Sequence, residues 1–279
     1  MIKASWKILT DAEKASGRFH QVEAFLYDPP IDSTDGKNHI AASCSGPHTM
    51  GLVGLHIAHK TASFPQWIWV TFEQVDNAPD RGATAITPSS FSNPQCPNCP
   101  PNMQPACPNQ LSPTLCDWQP NIQHIDPKLK VPTQVERDTP LSSDGPTIPI
   151  NQDVQNRFKN VNPQSVWQFY ELVDAQWALT PCGSLAPCKP GDTPSPCVFG
   201  NFSCKAAQPL PAFLANTTME TYFQSKAATA SRGTCMGCHA QATKAISFTQ
   251  QADFSFELEQ AHTPKVQSPF KSLVKKGAN

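Results

Sequence analysis

The tightest constraint on this chain is Cys235-Met236-Gly237-Cys238-His239. Two thiols two residues apart, followed at once by an imidazole, have the spacing of a c-type haem attachment site. Each thiol can form a thioether with a vinyl group on one edge of a porphyrin. The histidine then lies beneath the iron and supplies its proximal nitrogen. One covalent haem c, held by Cys235 and Cys238 with His239 on the metal, is the expected cofactor. Three other uses of the motif compete. A thioredoxin-like pair wants a preceding strand within a βαβ unit, and the residues before Cys235 are polar and helix-like. A zinc site needs two more ligands; Cys96 and Cys99 could supply them but lie far upstream in a proline-rich stretch, not at zinc-ribbon spacing. A disulfide needs no following histidine.

The other cysteines bear on compartment. Of eleven in 279 residues, Cys96, Cys99, Cys107 and Cys116 fall in one loop, and Cys182, Cys188, Cys197 and Cys204 in another. Four per loop suits two disulfides each in an oxidising compartment, with connectivity left open. Cys44 is left over, either free or paired outside the chain. Thioethers and disulfides both point to the periplasm or cell exterior. Yet Met1-Ile2-Lys3-Ala4-Ser5-Trp6 has no apolar core or cleavage site of a signal peptide. The expectation is a longer precursor whose N-terminal part is missing here. A net charge of −1 and a pI near 6.7 argue against a nucleic-acid partner. No apolar run approaches the ~20 residues of a helical membrane span. The 29 prolines are about double the usual share of roughly 5% and imply many ordered loops.

Period-two patterns dominate the first 79 residues. Ile2, Ala4, Trp6 and Ile8 alternate with polar residues, as do Val22, Ala24 and Leu26. Residues 31–48 read as loop. Met50–His59 is apolar in both parities, as in a strand covered on both faces; His56 would share a face with Met50 and Leu52, and His59 the other with Val53, Leu55 and Ile57. In Trp67–Glu73, Trp67, Trp69 and Glu73 share one face, and Ile68, Val70 and Phe72 the other. Residues 80–149 form a Pro/Cys-rich excursion. Helical spacing begins at Asn151, with Val154, Phe158 and Val161 on one face, and restarts at Asn162-Pro163 with Val166, Trp167, Tyr170 and Val173. Residues 179–210 are a second Pro/Cys loop. Thr217 to Glu220 reads as a capping box opening a short helix. Residues 240–245 would continue a helix of small residues after the motif, and Asp253 to Glu257 could wall the cofactor. The predicted fold class is α+β: an N-terminal antiparallel β-sheet region (1–79), long Cys/Pro-rich loops, and a C-terminal, mainly helical c-type haem segment (150–279), forming one cooperative unit.

The sixth iron ligand decides function. A methionine there would raise the potential, and a vacancy would admit a small oxidant. No methionine follows Met236, so a protein ligand comes from upstream or is His262. His56 leads the candidates, because an unpaired imidazole in the most apolar strand is costly. His59, Met219 and His262 rank behind it, and Met219 is better suited to helix core beside Tyr222 and Phe223.

Several stretches resemble bacterial cytochrome c family proteins. They include Ile2-Lys3-Ala4-Ser5-Trp6, Gly51-Leu52-Val53-Gly54-Leu55-His56, Lys60-Thr61, Pro65-Gln66-Trp67-Ile68-Trp69, Thr71-Phe72-Glu73 and Val75-Asp76-Asn77. Tyr170-Glu171-Leu172, Gln176-Trp177, Leu214 to Tyr222, the haem motif and Ala252 to Phe256 extend the likeness over most of the chain except the two Cys/Pro loops. The resemblance implies one haem, a periplasmic site and a further N-terminal segment with an export signal. It extends to His56 and not dependably to His59, which favours His56. It implies no substrate.

The leading expectation is an exported monohaem c-type cytochrome that passes single electrons to or from a redox partner protein or a small oxidant or reductant. Alternatives are a peroxidase- or oxidase-like haem enzyme with an open distal site, for which Trp67, Trp69 and Glu73 could line a pocket, and a disulfide-stapled haem sensor or scaffold.

Overall fold

Alternating apolar residues commit the first part of the chain to strands, and one long strand organises them. In the computed structural model the described residues are 1–28, 31–32, 39–61, 64, 67–83, 89–91, 97–102, 134–141, 145–178, 209–222, 224, 234–239, 243–244 and 247–251. The second cysteine loop, most of the first, His262 and the 253–257 run lie outside them. In chain order the elements are β1 (Ile2–Ile8), α1 (Asp11–Ala15), β2 (Gln21–Asp28), β3 (Ile31–Asp32), β4 (His39–Ile40), β5 (Ser43–His59) and β6 (Ile68–Gln74). Then come α2 (Thr147–Val161), β7 (Tyr170–Ala178), β8 (Pro209–Leu210), α3 (Cys235–His239), β9 (Thr243–Lys244) and β10 (Ser247–Gln251).

The architecture of the N-terminal part is α+β, a six-stranded antiparallel sheet with few helices. Strand β5 is its spine. β1 pairs with residues 50–57 along one edge, while β2 (at 43–51) and β6 (at 54–59) share the other. β7 then pairs with β6, and β8 with β7. Two short hairpins, β3–β4 and β9–β10, stand apart. Residues 50–54 are all buried, as an apolar run of both parities requires.

Two bulges alter what the alternation predicts. Ser5 pairs with Gly54 but Trp6 pairs with Leu52, so Val53 is an extra residue in β5. Parity reverses there, and Leu52 lines the same cavity as Leu55 and Ile57 instead of sharing a face with His56. In β7, Phe72 opposes Leu172 and Thr71 opposes Asp174, leaving Val173 as the extra residue. That interruption hides the period of two. A helix was expected through Tyr170 and Val173; the chain instead makes one 3-10 turn at Val166–Phe169 and then a strand. The sheet is therefore not finished at residue 79, because β7 supplies the outer partner of β6.

Other boundaries also move. The stretch expected as loop up to His48 is already strand from Ser43. Helix α2 starts at Thr147, four residues before the expected Asn151. Its inner stripe is Ile150, Val154 and Phe158, and Val161 is 87% exposed. Asn151 fastens α2 to the β7 bulge: its Nδ2 donates to Leu172 O (2.8 Å) and its Oδ1 accepts from Leu172 N (2.7 Å). The expected capping-box helix at Thr217 is only a turn. Asn216 takes the cap role: Glu220 Oε2 accepts from Asn216 N (2.7 Å), and Asn216 Oδ1 accepts from Thr218 N (2.9 Å). Thr217 is not free to cap, since its hydroxyl is held by Glu73. Thr243–Lys244 is strand, not a continuation of the motif helix. On β1, the apolar residues Ile2, Trp6 and Ile8 are exposed rather than turned into a core. Among the described residues no helix is long and apolar enough to cross a membrane.

Candidate functional site

Pairing register defines a sheet face. Trp69, Thr71 and Glu73 on β6 lie opposite Ala58, His56 and Gly54 on β5, while Gln176 and Asp174 on β7 lie opposite Trp69 and Thr71. Directly opposed residues point to the same side. The other side carries Leu55, Ile57, Phe72 and Leu172 and meets α2. On the first side Thr71, Glu73 and Gln176 have no solvent exposure. A buried carboxylate is tolerated only with partners, and Glu73 has several. Its Oε1 accepts from Thr217 N (2.6 Å) and its Oε2 from Thr217 Oγ1 (2.6 Å) and Arg137 Nη2 (3.3 Å).

Arg137 also donates to Glu171 Oε1 (2.7 Å) and reaches Asp80 Oδ1 (3.5 Å). Burial pushes the Glu171 carboxyl above its ordinary range; Arg137 opposes this, and Glu73 and Asp80 add to it. Asn216 Nδ2 donates to Thr71 Oγ1 (2.9 Å) and Phe72 O (3.0 Å), laying residues 214–220 directly on the sheet. Gly54 makes that approach possible: a Cβ there would stand 2.5 Å from Thr218 Oγ1 and 2.9 Å from Asn216 Oδ1. The face expected to offer Trp67, Trp69 and Glu73 as a pocket lining is thus filled at Glu73 by Thr217 and Arg137.

His56 lies on this face. Its Nε2 is 3.4 Å from Glu220 Oε2, an ion-pair distance without hydrogen-bond alignment. Burial alone would raise the Glu220 carboxyl; His56, the Asn216 N–H and Lys3 outweigh it and hold the carboxyl below its usual range. His59 is exposed at the end of β5, one parity away from Ala58 and hence off the face that carries Trp69. Met219 is half-buried in the turn after Asn216.

The motif docks beside them. Residues 235–239 form a single helical turn, α3. In such a turn, positions four apart share one side, so Cys235 stands on the side of His239. Thr234 bridges to Leu214, which ties the turn to the segment that covers Thr71. Gln176 holds its start: Oε1 accepts from Thr234 Oγ1 (2.8 Å) and Met236 N (2.9 Å), and Nε2 donates to Pro211 O (2.7 Å). Met236, 1% exposed, packs on Ala58, Trp69 and Ala178. Cys235 Sγ lies 3.8 Å from Leu214 O. The His239 ring rests on Trp69, centroids 4.3 Å apart at 38°, and Trp67 follows at 6.1 Å from Trp69. The Cys238 side chain lies outside the described residues.

Two cysteines three residues apart on one helical turn, an adjoining imidazole and a backbone anchored at the first cysteine are a donor set that fits a covalently held haem. The fit lies in the donor set and its helical spacing. Of the loop cysteines, Cys99 is disulfide-bonded; Cys44, on β5, is an exposed free thiol. Reasoning from the sequence did not single out Gln176, Arg137 or Asn216. Glu73 within an apolar strand was the available signal, because it required a cation and donors from elsewhere. The chain matches no protein-family model, no curated protein and no solved structure.

Proposed function

We propose that this chain is an exported monohaem c-type cytochrome, with haem c on Cys235 and Cys238, His239 on the iron, and single-electron transfer to a redox partner as its work. The observation that carries this proposal is the docked Cys235-x-x-Cys238-His239 turn, whose residue spacing is that of a c-type haem attachment site. When bound, the haem supplies a one-electron couple whose potential depends on its ligands and surroundings. The chain contributes the attachment thiols, a proximal imidazole braced by Trp69, and an anchor at Gln176. The disulfide at Cys99 supports an oxidising compartment. Protein matured with haem-attachment machinery is expected to keep haem stain on a denaturing gel, and the Cys235→Ala, Cys238→Ala double variant to lose it. Release of haem from the unmutated chain on denaturation would refute the proposal.

His56 remains the proposed sixth ligand, and an iron held by this chain would compete with Glu220 for its Nε2. That ion pair favours a second reading, an oxidoreductase whose distal position is open because His56 is occupied by a carboxylate. Carbon monoxide separates them. Slow binding to the reduced protein, accelerated in His56→Ala, is the carrier's signature; fast binding unaffected by that substitution belongs to the open site.

A further inference from the structure

The motif is gripped at both ends by one cross-strand pair. Trp69 on β6 and Gln176 on β7 are register partners, and their side chains leave the sheet on the same side. Gln176 holds the cysteine end through Thr234 Oγ1 and Met236 N, and is itself fixed by Pro211 O. It has no solvent exposure. An aliphatic residue in its place would remove the acceptor of a buried N–H and of a buried hydroxyl. Trp69 holds the histidine end by ring contact at 4.3 Å. It is 3% exposed and wedged with Ala58, Ala178 and Met236, so its indole cannot swing away without opening that cluster. A tilted ring at this distance restricts rotation of the imidazole about its Cβ–Cγ bond.

We infer that Trp69 and Gln176 are positioning residues that form a seat for the attachment turn, Gln176 setting the backbone of the cysteine end and Trp69 the plane of the His239 ring. Groups behind a metal ligand fix its orientation and through it the electronic character of the metal. The seat is built from the sheet, so it holds the turn by contacts independent of the haem. The inference rests on the haem proposal for its consequence at iron, but not for the seat itself.

Haem staining of the full chain on a denaturing gel decides which readout applies. If the chain carries haem, Trp69→Leu is expected to shift the g values of the ferric electron paramagnetic resonance spectrum and the reduction potential, and Trp69→Phe, which keeps a ring against His239, to restore most of the shift. Unchanged g values in Trp69→Leu overturn the inference while leaving haem attachment standing. If the chain carries no haem, the haem proposal fails and the seat is read from Cys235, by iodoacetamide labelling and peptide mapping of the folded protein. Gln176→Met removes the acceptor at similar volume and is expected to speed that labelling about tenfold to thirtyfold, the opening expected from two lost buried hydrogen bonds. An unchanged rate overturns the seat. So does a rise matched by equally faster hydrogen exchange throughout β5, because Gln176 would then support only the general fold. If Gln176→Met does not fold, Thr234→Val removes one of the two donors and is read the same way, with a smaller rise of about threefold to tenfold.

Discussion

One side of the sheet presents Leu55, Ile57, Phe72 and Leu172 to helix α2 across a cavity of about 300 Å³. The other presents Thr71, Glu73 and Gln176 to Arg137, Pro211, Asn216, Thr217, Thr234 and Met236, with the side-chain heteroatoms of all three engaged. The first contact is apolar and loose: Ile150, Val154 and Phe158 keep 46%, 42% and 39% of their surface exposed. The second is polar and closed. Apolar contacts are non-directional, so the α2 side gains from burial without fixing one arrangement. Hydrogen bonds in a low dielectric are directional and costly to leave unmade, so the polar side tolerates few arrangements of the segments that cover it. The C-x-x-C-H motif docks on the polar side, where position is best defined.

The contrast can be broken most severely at Glu73. Glu73→Leu leaves the Thr217 N–H and hydroxyl without their acceptor and removes a counter-charge from Arg137. Loss of about 3–5 kcal/mol is expected in guanidinium unfolding; a loss below about 1 kcal/mol would mean the network contributes no more than a surface ion pair. On the opposite side, Phe158→Ala is expected to cost only about 1 kcal/mol. The figure is well under the ~3–5 of a fully buried phenylalanine, since Phe158 is already 39% exposed and borders a cavity. A larger loss would show that α2 seats more tightly than its exposure indicates.

Acidity sharpens the comparison within the polar side. Glu171 is held above its ordinary range, so the folded protein binds its proton more readily than the unfolded chain does. Its contribution to stability therefore falls as pH rises through the window just above the unfolded value of 4.5. Glu220 is held below 4.5; its contribution is full above that value and is lost as pH falls through the folded pKa. In denaturant midpoints measured against pH, Glu171→Gln should flatten the decline on the upper side of 4.5, and Glu220→Gln the acid loss below it. Identical profiles for both variants would show that the two carboxyls are not held differently. The smallest effect is expected at Val161, 87% exposed. Val161→Ser should change stability by no more than about 0.5 kcal/mol, and a larger loss would restore it to the inner stripe of α2.

Strand identity in β1, β2 and β6 was legible because period two survives along each; β5 was legible only from Met50 on, as a run apolar in both parities, and its start at Ser43 was not. Face assignment was legible in β6, where no bulge falls between Ile68 and Thr71, and illegible in β5, where the extra Val53 moves Leu52 across the sheet. β7 was misread as helix because Val173 is an additional residue in the ladder and the 3-10 turn before it mimics a helix start. At the site, Cys235, Cys238 and His239 stood out because their chemistry is local. Gln176, Arg137 and Asn216 did not, because their partners are 60, 64 and 145 residues distant.

By itself the sequence determined that residues 2–8, 22–26, 50–59 and 68–73 would build strands, and that its most specific chemistry lies in five consecutive residues near 237. A period of two and a C-x-x-C-H spacing are short-range properties, written wherever they act. Only the tertiary structure decided what those residues meet: His56 an acidic partner in Glu220, Glu73 the guanidinium of Arg137, and the motif a seat between Trp69 and Gln176. Buried polar groups must be satisfied by whatever segment reaches them, and the register and bulges of the assembled sheet determine which segment that is.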